Sequence, residues 1–205
     1  SGGNRTPGVS LAEDLPAAAC RNVRKQLHSH GFELPLYVTE WTSADHLLAP
    51  VACSRYQAAF IAKTFLELSS VCDLAAYWLF CDLMLPEQNM ADAPLTVFGS
   101  GLLSSGFLPY APYYAWTFCA QLGTEVIGEG KNYRVVREGT DHYKVIAWHY
   151  EHFRSGAEAY MQDVTAFDRI YDLFREAAPQ LLNISLEGLT KGLYHVSRLM
   201  LGEYN

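Results

Sequence analysis

The chain has 205 residues, 50% of them hydrophobic and 18% charged, with a formal net charge of −7. That composition is globular and excludes a chain that is disordered along its length. The basic residues are scattered, Arg21, Arg24 and Lys25 forming the longest cluster, so the segment is not expected to contact nucleic acid directly.

The five cysteines (Cys20, Cys53, Cys72, Cys81, Cys119) are odd in number and none are spaced C-x-x-C. Reduced core thiols are expected, rather than a disulfide framework or a zinc site. No apolar run reaches membrane-spanning length and no signal-peptide pattern opens the chain. A cytoplasmic protein without membrane contact is expected.

Residues 1–9 read as loop. Ser10 and Glu13 form an S-x-x-E capping box, predicting a helix through roughly Ser29 with Gly31 as its stop. The apolar run from Leu34 to Thr39 suits a buried strand ending in Glu40-Trp41. Ser54 then caps a second helix, to about Leu68, whose Ala58, Ala59, Ile61, Ala62 and Phe65 make an apolar face. Leu74 to Phe80 reads as another buried strand, followed by a long loop over 81–111. Pro112 suits the first turn of a third helix, ending near Leu122-Gly123. Helices alternating with strands imply a parallel sheet.

After Gly123 the texture changes. Tyr133–Val136 and Tyr143–Trp148 read as strands joined at Gly139-Thr140-Asp141, and Leu182–Leu186 and Tyr194–Leu199 as strands flanking a Gly188…Gly192 turn. Apolar and polar residues alternate as in an antiparallel sheet with one wet face. Two parts are therefore expected, 1–122 and 123–205, an α/β segment plus a β segment.

Glu40 is a carboxylate at the carboxyl end of a parallel strand, where α/β active sites gather. Trp41 and Trp78, near strand ends, are candidates to pack on the apolar face of a sugar. Asp82, after the second strand, is a candidate to bond a sugar hydroxyl or orient a neighbour, and Glu87 and Tyr110 are further pocket candidates. His149 and His152 stand three apart, which on a strand places them on opposite faces, so no metal is expected there. No nucleotide-binding motif occurs and no cofactor is expected.

Leu36-Tyr37-Val38-Thr39-Glu40-Trp41 resembles the nucleophile strand of glycoside hydrolase family 39, the β-xylosidase and α-iduronidase family. The likeness continues in order through Tyr56–Lys63, Tyr77-Trp78-Leu79-Phe80-Cys81-Asp82, the glycine-rich Gly99–Leu103, Pro112–Ala115 and Leu122-Gly123. The resemblance implies that 1–122 is the C-terminal segment of a (β/α)8 barrel carrying its last two strands. It implies that 123–205 is an antiparallel, sandwich-like accessory domain. Glu40 would be the nucleophile of a retaining β-xylosidase-type enzyme, acting on a small sugar or xylo-oligosaccharide. The family's acid/base sits in an Asn-Glu-Pro motif that this chain lacks. The implied partner is therefore an N-terminal barrel segment bearing that Glu, and the chain alone would be inactive; homo-oligomerisation is compatible with this. Within the matched region Thr42, Cys53, Pro86, Glu87 and Val97 depart from the family pattern. The region from Leu186 to Arg198 also resembles the family-39-like barrel fused to AraC-type transcription regulators, which implies a non-catalytic or weakly catalytic sugar sensor as the alternative.

Overall fold

A computed structural model of the chain describes residues 13–43, 49–82, 100–154 and 172–202. Its elements run α1 (Leu15–Ser29), β1 (Tyr37–Trp41), α2 (Ala49–Ala52), α3 (Arg55–Leu68), β2 (Leu74–Tyr77), α4 (Ala111–Ala120), β3 (Glu125–Gly130), β4 (Tyr133–Glu138) and β5 (His142–Ala147).

The alternation of strand and helix becomes a β1–α3–β2 unit whose two strands pair in parallel. Helix α3 is its centre, with nine of its 14 residues buried. Ala58, Phe60 and Ile61 share a core cluster with Trp41, Ala115 and Tyr150, onto which Val38, Ala75, Tyr77 and Trp116 pack. Ala62 and Leu66 meet Cys119 of α4 and Ile146 of β5 in a second cluster. A helix buried nearly all round fits its Ala- and Leu-rich sequence.

Helix α1 lies against the start of the strands. Its Arg24 guanidinium donates to the Leu34 carbonyl at 3.0 Å and to Asp73 Oδ2 at 2.9 Å, and the Leu36 N–H donates to the same Asp73 oxygen at 2.7 Å. Those bonds hold the Asp73 carboxyl below its ordinary range, the Leu36 N–H contributing most. The second sheet is antiparallel in the order β3-β4-β5. Gly139, at φ +67°, supplies the left-handed residue of the turn between β4 and β5. Arg134 of β4 donates to the Leu66 carbonyl at 3.1 Å and to Ser69 Oγ at 3.0 Å. It thereby caps the C-terminus of α3, where exposed carbonyls favour a cation.

Several expectations are corrected. Ser54 stands at the N-cap of α3 but makes no side-chain cap bond, its Oγ donating instead to the Val51 carbonyl at 2.6 Å. The first helix starts at Leu15, with Pro16 in its first turn and no side-chain cap bond, so Glu13 is not part of a working capping box; Ser10 lies outside the described residues. The strands at 37–41 and 74–77 are covered on one face only. A strand at 125–130 was missed because its two glycines weaken the strand signal, one of them at the register shift between Val126 and Gly128. Residues 182–186 and 194–199 form no strand. They pair with neither edge of the three-stranded sheet, and Leu182, Val196 and Leu199 stay exposed. One three-stranded sheet, without a second sheet facing it, is what the described residues after 123 contain.

Candidate active site

A regular strand alternates faces, so Val38 and Trp41, three apart, would point to opposite sides. Both instead pack on the helix layer. The ladder explains this: Val38 pairs with Ala75 and Trp41 with Tyr77, so Thr39 and Glu40 together stand opposite the single Ala76. This two-against-one count is a β-bulge, which re-aims side chains and is over-represented beside active sites. It turns Thr39 and Glu40 onto the face away from the helices, and both are exposed.

Strand β2 alternates normally. Ala75 and Tyr77 pack on the core, while Leu74 and Trp78 are exposed. Glu40 and Trp78 therefore share the open face at the carboxyl ends of neighbouring parallel strands, tied by the Trp78 N–H donating to the Trp41 carbonyl at 3.0 Å. The Trp78–Leu79 peptide bond is cis. Trp78 is 42% exposed, with ring surface free to meet a ligand.

Trp41 does not join them. It is 5% exposed, edge-on to Tyr77 at 5.2 Å between centroids and tilted against Phe60 and Trp116, each at 6.1 Å. The sugar-stacking role expected for Trp41 is corrected to that of a core anchor for the strand end, because the bulge reverses its side.

Asp82 and Tyr110 come together. Tyr110 Oη donates to Asp82 Oδ2 at 2.9 Å, and the Gly101 N–H donates to Asp82 Oδ1 at 2.7 Å. Asp82 is 7% exposed, and burial raises its pKa above the ordinary value despite those bonds. Burial, followed by the bond to Asp82, likewise pushes the Tyr110 phenol up. The pair braces the loop after position 100 against the end of the second strand. A Cβ on Gly101 would lie 2.6 Å from the Leu103 carbonyl and 2.7 Å from Asp82 N, so only glycine fits. Each Asp82 oxygen accepts a bond from within the chain, so the side chain braces the rim. Glu87, like Pro86 and Val97, lies outside the described residues.

Sequence reasoning missed a polar knot beneath the bulge. Gln57 of α3 is 0% exposed. Its Oε1 accepts from Ser43 Oγ, and its Nε2 donates to Tyr77 Oη at 3.0 Å and, at 3.5 Å, to Thr42 Oγ1. Its signal in the sequence is a glutamine flanking the apolar Ala58, Ala59, Ile61 and Ala62. Nδ1 of His152 is hydrogen-bonded to Tyr150 Oη at 2.7 Å. No described helix is long and apolar enough to cross a membrane.

No protein-family model matches the chain. Over 131 residues, 62% of its length, the chain is 28% identical to a β-xylosidase of Geobacillus stearothermophilus and covers 25% of it. Over 119 residues, 58% of its length, it is 29% identical to a β-xylosidase of Caldicellulosiruptor saccharolyticus and covers 24% of it. Among solved structures it superposes on a GH39 enzyme of Xanthomonas axonopodis pv. citri with a TM-score of 0.62 and 21% identity, over 72% of this chain and 29% of that one. It superposes on a monomeric β-xylosidase of Caulobacter crescentus CB15 with a TM-score of 0.60 and 21% identity, over 73% of this chain and 32% of that one. Part of the chain is thus similar in sequence to β-xylosidases and shares its fold with a solved GH39 enzyme. The chain spans about a quarter of the length of the curated relatives it matches.

Proposed function

We propose that the chain is the C-terminal portion of a retaining glycoside hydrolase of the β-xylosidase type, with Glu40 as its nucleophile. The observation that carries this is the bulge that turns Glu40 onto the same open face as Trp78, at the carboxyl ends of two parallel strands. Residues 1–122 contribute the last two strands of a (β/α)8 barrel, and 123–205 form the accessory β part. An upstream segment supplies the other strands and the Glu that serves as acid/base.

In this reading a xyloside lies across the open face, with Trp78 against its apolar side. Glu40 attacks the anomeric carbon as the glycosidic C–O bond breaks, and the upstream acid protonates the departing oxygen. A water, deprotonated by that same residue, then attacks the anomeric carbon and releases Glu40 as a carboxylate. Asp82 and Tyr110 hold the rim without touching the sugar. The five free thiols suit a reducing compartment, in keeping with a cytoplasmic protein.

The test uses the barrel-complete polypeptide with an activated 2-fluoro-xyloside. The expected result is a covalent adduct on the peptide containing Glu40, absent in Glu40→Gln. Saturable xylose or xylobiose binding with no adduct would overturn the hydrolase and leave a sugar sensor, the reading favoured by the departures at Thr42 and Cys53. Neither binding nor adduct would remove both.

A further inference from the structure

We propose that Gln57 is a positioning residue for Glu40, holding the bulge in the register that presents the carboxylate; this rests on the reading of Glu40 as nucleophile. All three hydrogen-bond partners of the Gln57 amide belong to the strand ends that carry the site. Thr42 and Ser43 follow Glu40 by two and three residues, and Tyr77 immediately precedes Trp78. One side chain from the crossover helix thus ties together both strand exits.

Glu40 sits in the break between two anchored points. Val38 is the last residue before the bulge with a ladder partner, and Trp41 is the next. Between them Thr39 and Glu40 share one opposite residue, and bulged residues lose ladder hydrogen bonds. Trp41 anchors the near side through its ring. The far side, Thr42-Ser43, has left the sheet and is held from beneath by Gln57. The Tyr77 hydroxyl also donates, at 3.5 Å, to the Ser100 carbonyl, linking the knot to the loop that Asp82 braces.

The knot does not change charge in the ordinary pH range. Burial pushes the Tyr77 phenol up to about 12, with Asp82 and Cys53 adding to the rise and the bonds from Gln57 and Thr42 opposing it. Cys53, ahead of α3, is itself raised by burial, as is Asp82 beyond β2. An amide is a fitting centre for such a knot because it donates and accepts at any pH.

The test compares Gln57→Met and Gln57→Glu in two settings. In the 205-residue chain, hydrogen exchange reads the bulge directly. Gln57→Met is expected to speed exchange at the amides of Trp41, Ser43 and Trp78 about tenfold while β4 and β5 stay unchanged. Unchanged exchange there would overturn the proposal whatever the chemistry of the site. In the barrel-complete polypeptide, Gln57→Met is expected to slow trapping of Glu40 by the 2-fluoro-xyloside roughly 100-fold, with xylose affinity within about threefold. Gln57→Glu is expected to trap at acid pH, where its buried carboxyl is neutral and its single O–H can donate to either Thr42 or Tyr77, and to lose rate as it ionises and can donate to neither. A filler of space would give no such profile. Trapping by Gln57→Met at the unsubstituted rate would overturn positioning. No trapping even without substitution would instead overturn the hydrolase, and the exchange result would then decide the role of Gln57 in the bulge.

Discussion

The two sheets solve the same problem in opposite ways. Strands β3, β4 and β5 pair with their neighbours in sequence, and β4 and β5 match residue for residue from Tyr133–Ala147 to Glu138–His142. Strands β1 and β2 are parallel, so they meet only because the α3 crossover returns the chain between them. Their ladder is short and broken, and it depends on α3, α4 and the ring of Trp41 for support. The candidate chemistry sits on this dependent sheet, at the break. The antiparallel sheet has a register shift of its own, between Val126 and Gly128, but it falls at a glycine, whereas the shift in the parallel sheet re-aims a carboxylate.

The largest effect should come from removing that outside support. Trp41→Ala is expected to cost about 3–5 kcal/mol, the usual range for a buried tryptophan, measured by chemical denaturation. Exchange protection should fail first at the Tyr37–Trp41 and Leu74–Tyr77 amides and last in β4 and β5. Simultaneous loss in both sheets would break the comparison and make the molecule one cooperative unit.

A smaller effect should come from the link between the two regions. Arg134→Ala removes bonds to the Leu66 carbonyl and Ser69 Oγ at the end of α3. A loss of about 1–3 kcal/mol is expected, from charged hydrogen bonds at a helix C-terminus. Arg134→Lys should recover only part of it, having charge but no planar fork. Full recovery by lysine would show that charge alone holds the sheet to the helix.

The smallest effect concerns the brace and is read against pH. The Asp82 carboxyl titrates higher in the folded chain than its ordinary 3.8, because burial disfavours its charge. Between the unfolded and folded values the folded state binds more protons, so stability from this group is present below that window and lost as pH rises through it. Asp73, held low by Leu36 and Arg24, acts in the opposite sense. The quantity to follow is therefore the stability of Asp82→Asn minus that of the unsubstituted chain. It should rise with pH from below 4 until the folded carboxyl has ionised; a flat difference would mean the brace is open to water.

Much of the α/β part was legible because periodic apolar residues mark α3 and the runs at 34–39 and 74–80. Gly31 and Gly139 marked real ends, each with positive φ. Glu40 was legible as a strand-end carboxylate. What faced what was not. A bulge is a relation between two strands, so the sequence of one cannot reveal it, and Trp41 was assigned to the wrong side. Gln57 was hidden by the alanines around it, since burial of a polar group makes sense only once its partners are known. The alternation at 182–199 was real, but alternation alone does not make a strand, and these residues pair with none of the sheet edges among the described residues.

The bulge also bears on how this segment can vary. Deleting either Thr39 or Glu40 would restore an unbroken ladder and leave the strand looking more regular. If Thr39 were lost, the remaining carboxylate would stand directly opposite Ala76, with Val38 and Trp41 still on the helix side and only the aim of the acid altered. Gaining one residue there would set Val38 and the tryptophan four apart, on the same side of an unbroken strand but with the tryptophan carried past its partner Tyr77. Length at this point of the strand is thus less free than residue identity, and alignments with relatives should be anchored on Val38 and Trp41 rather than on the acid between them.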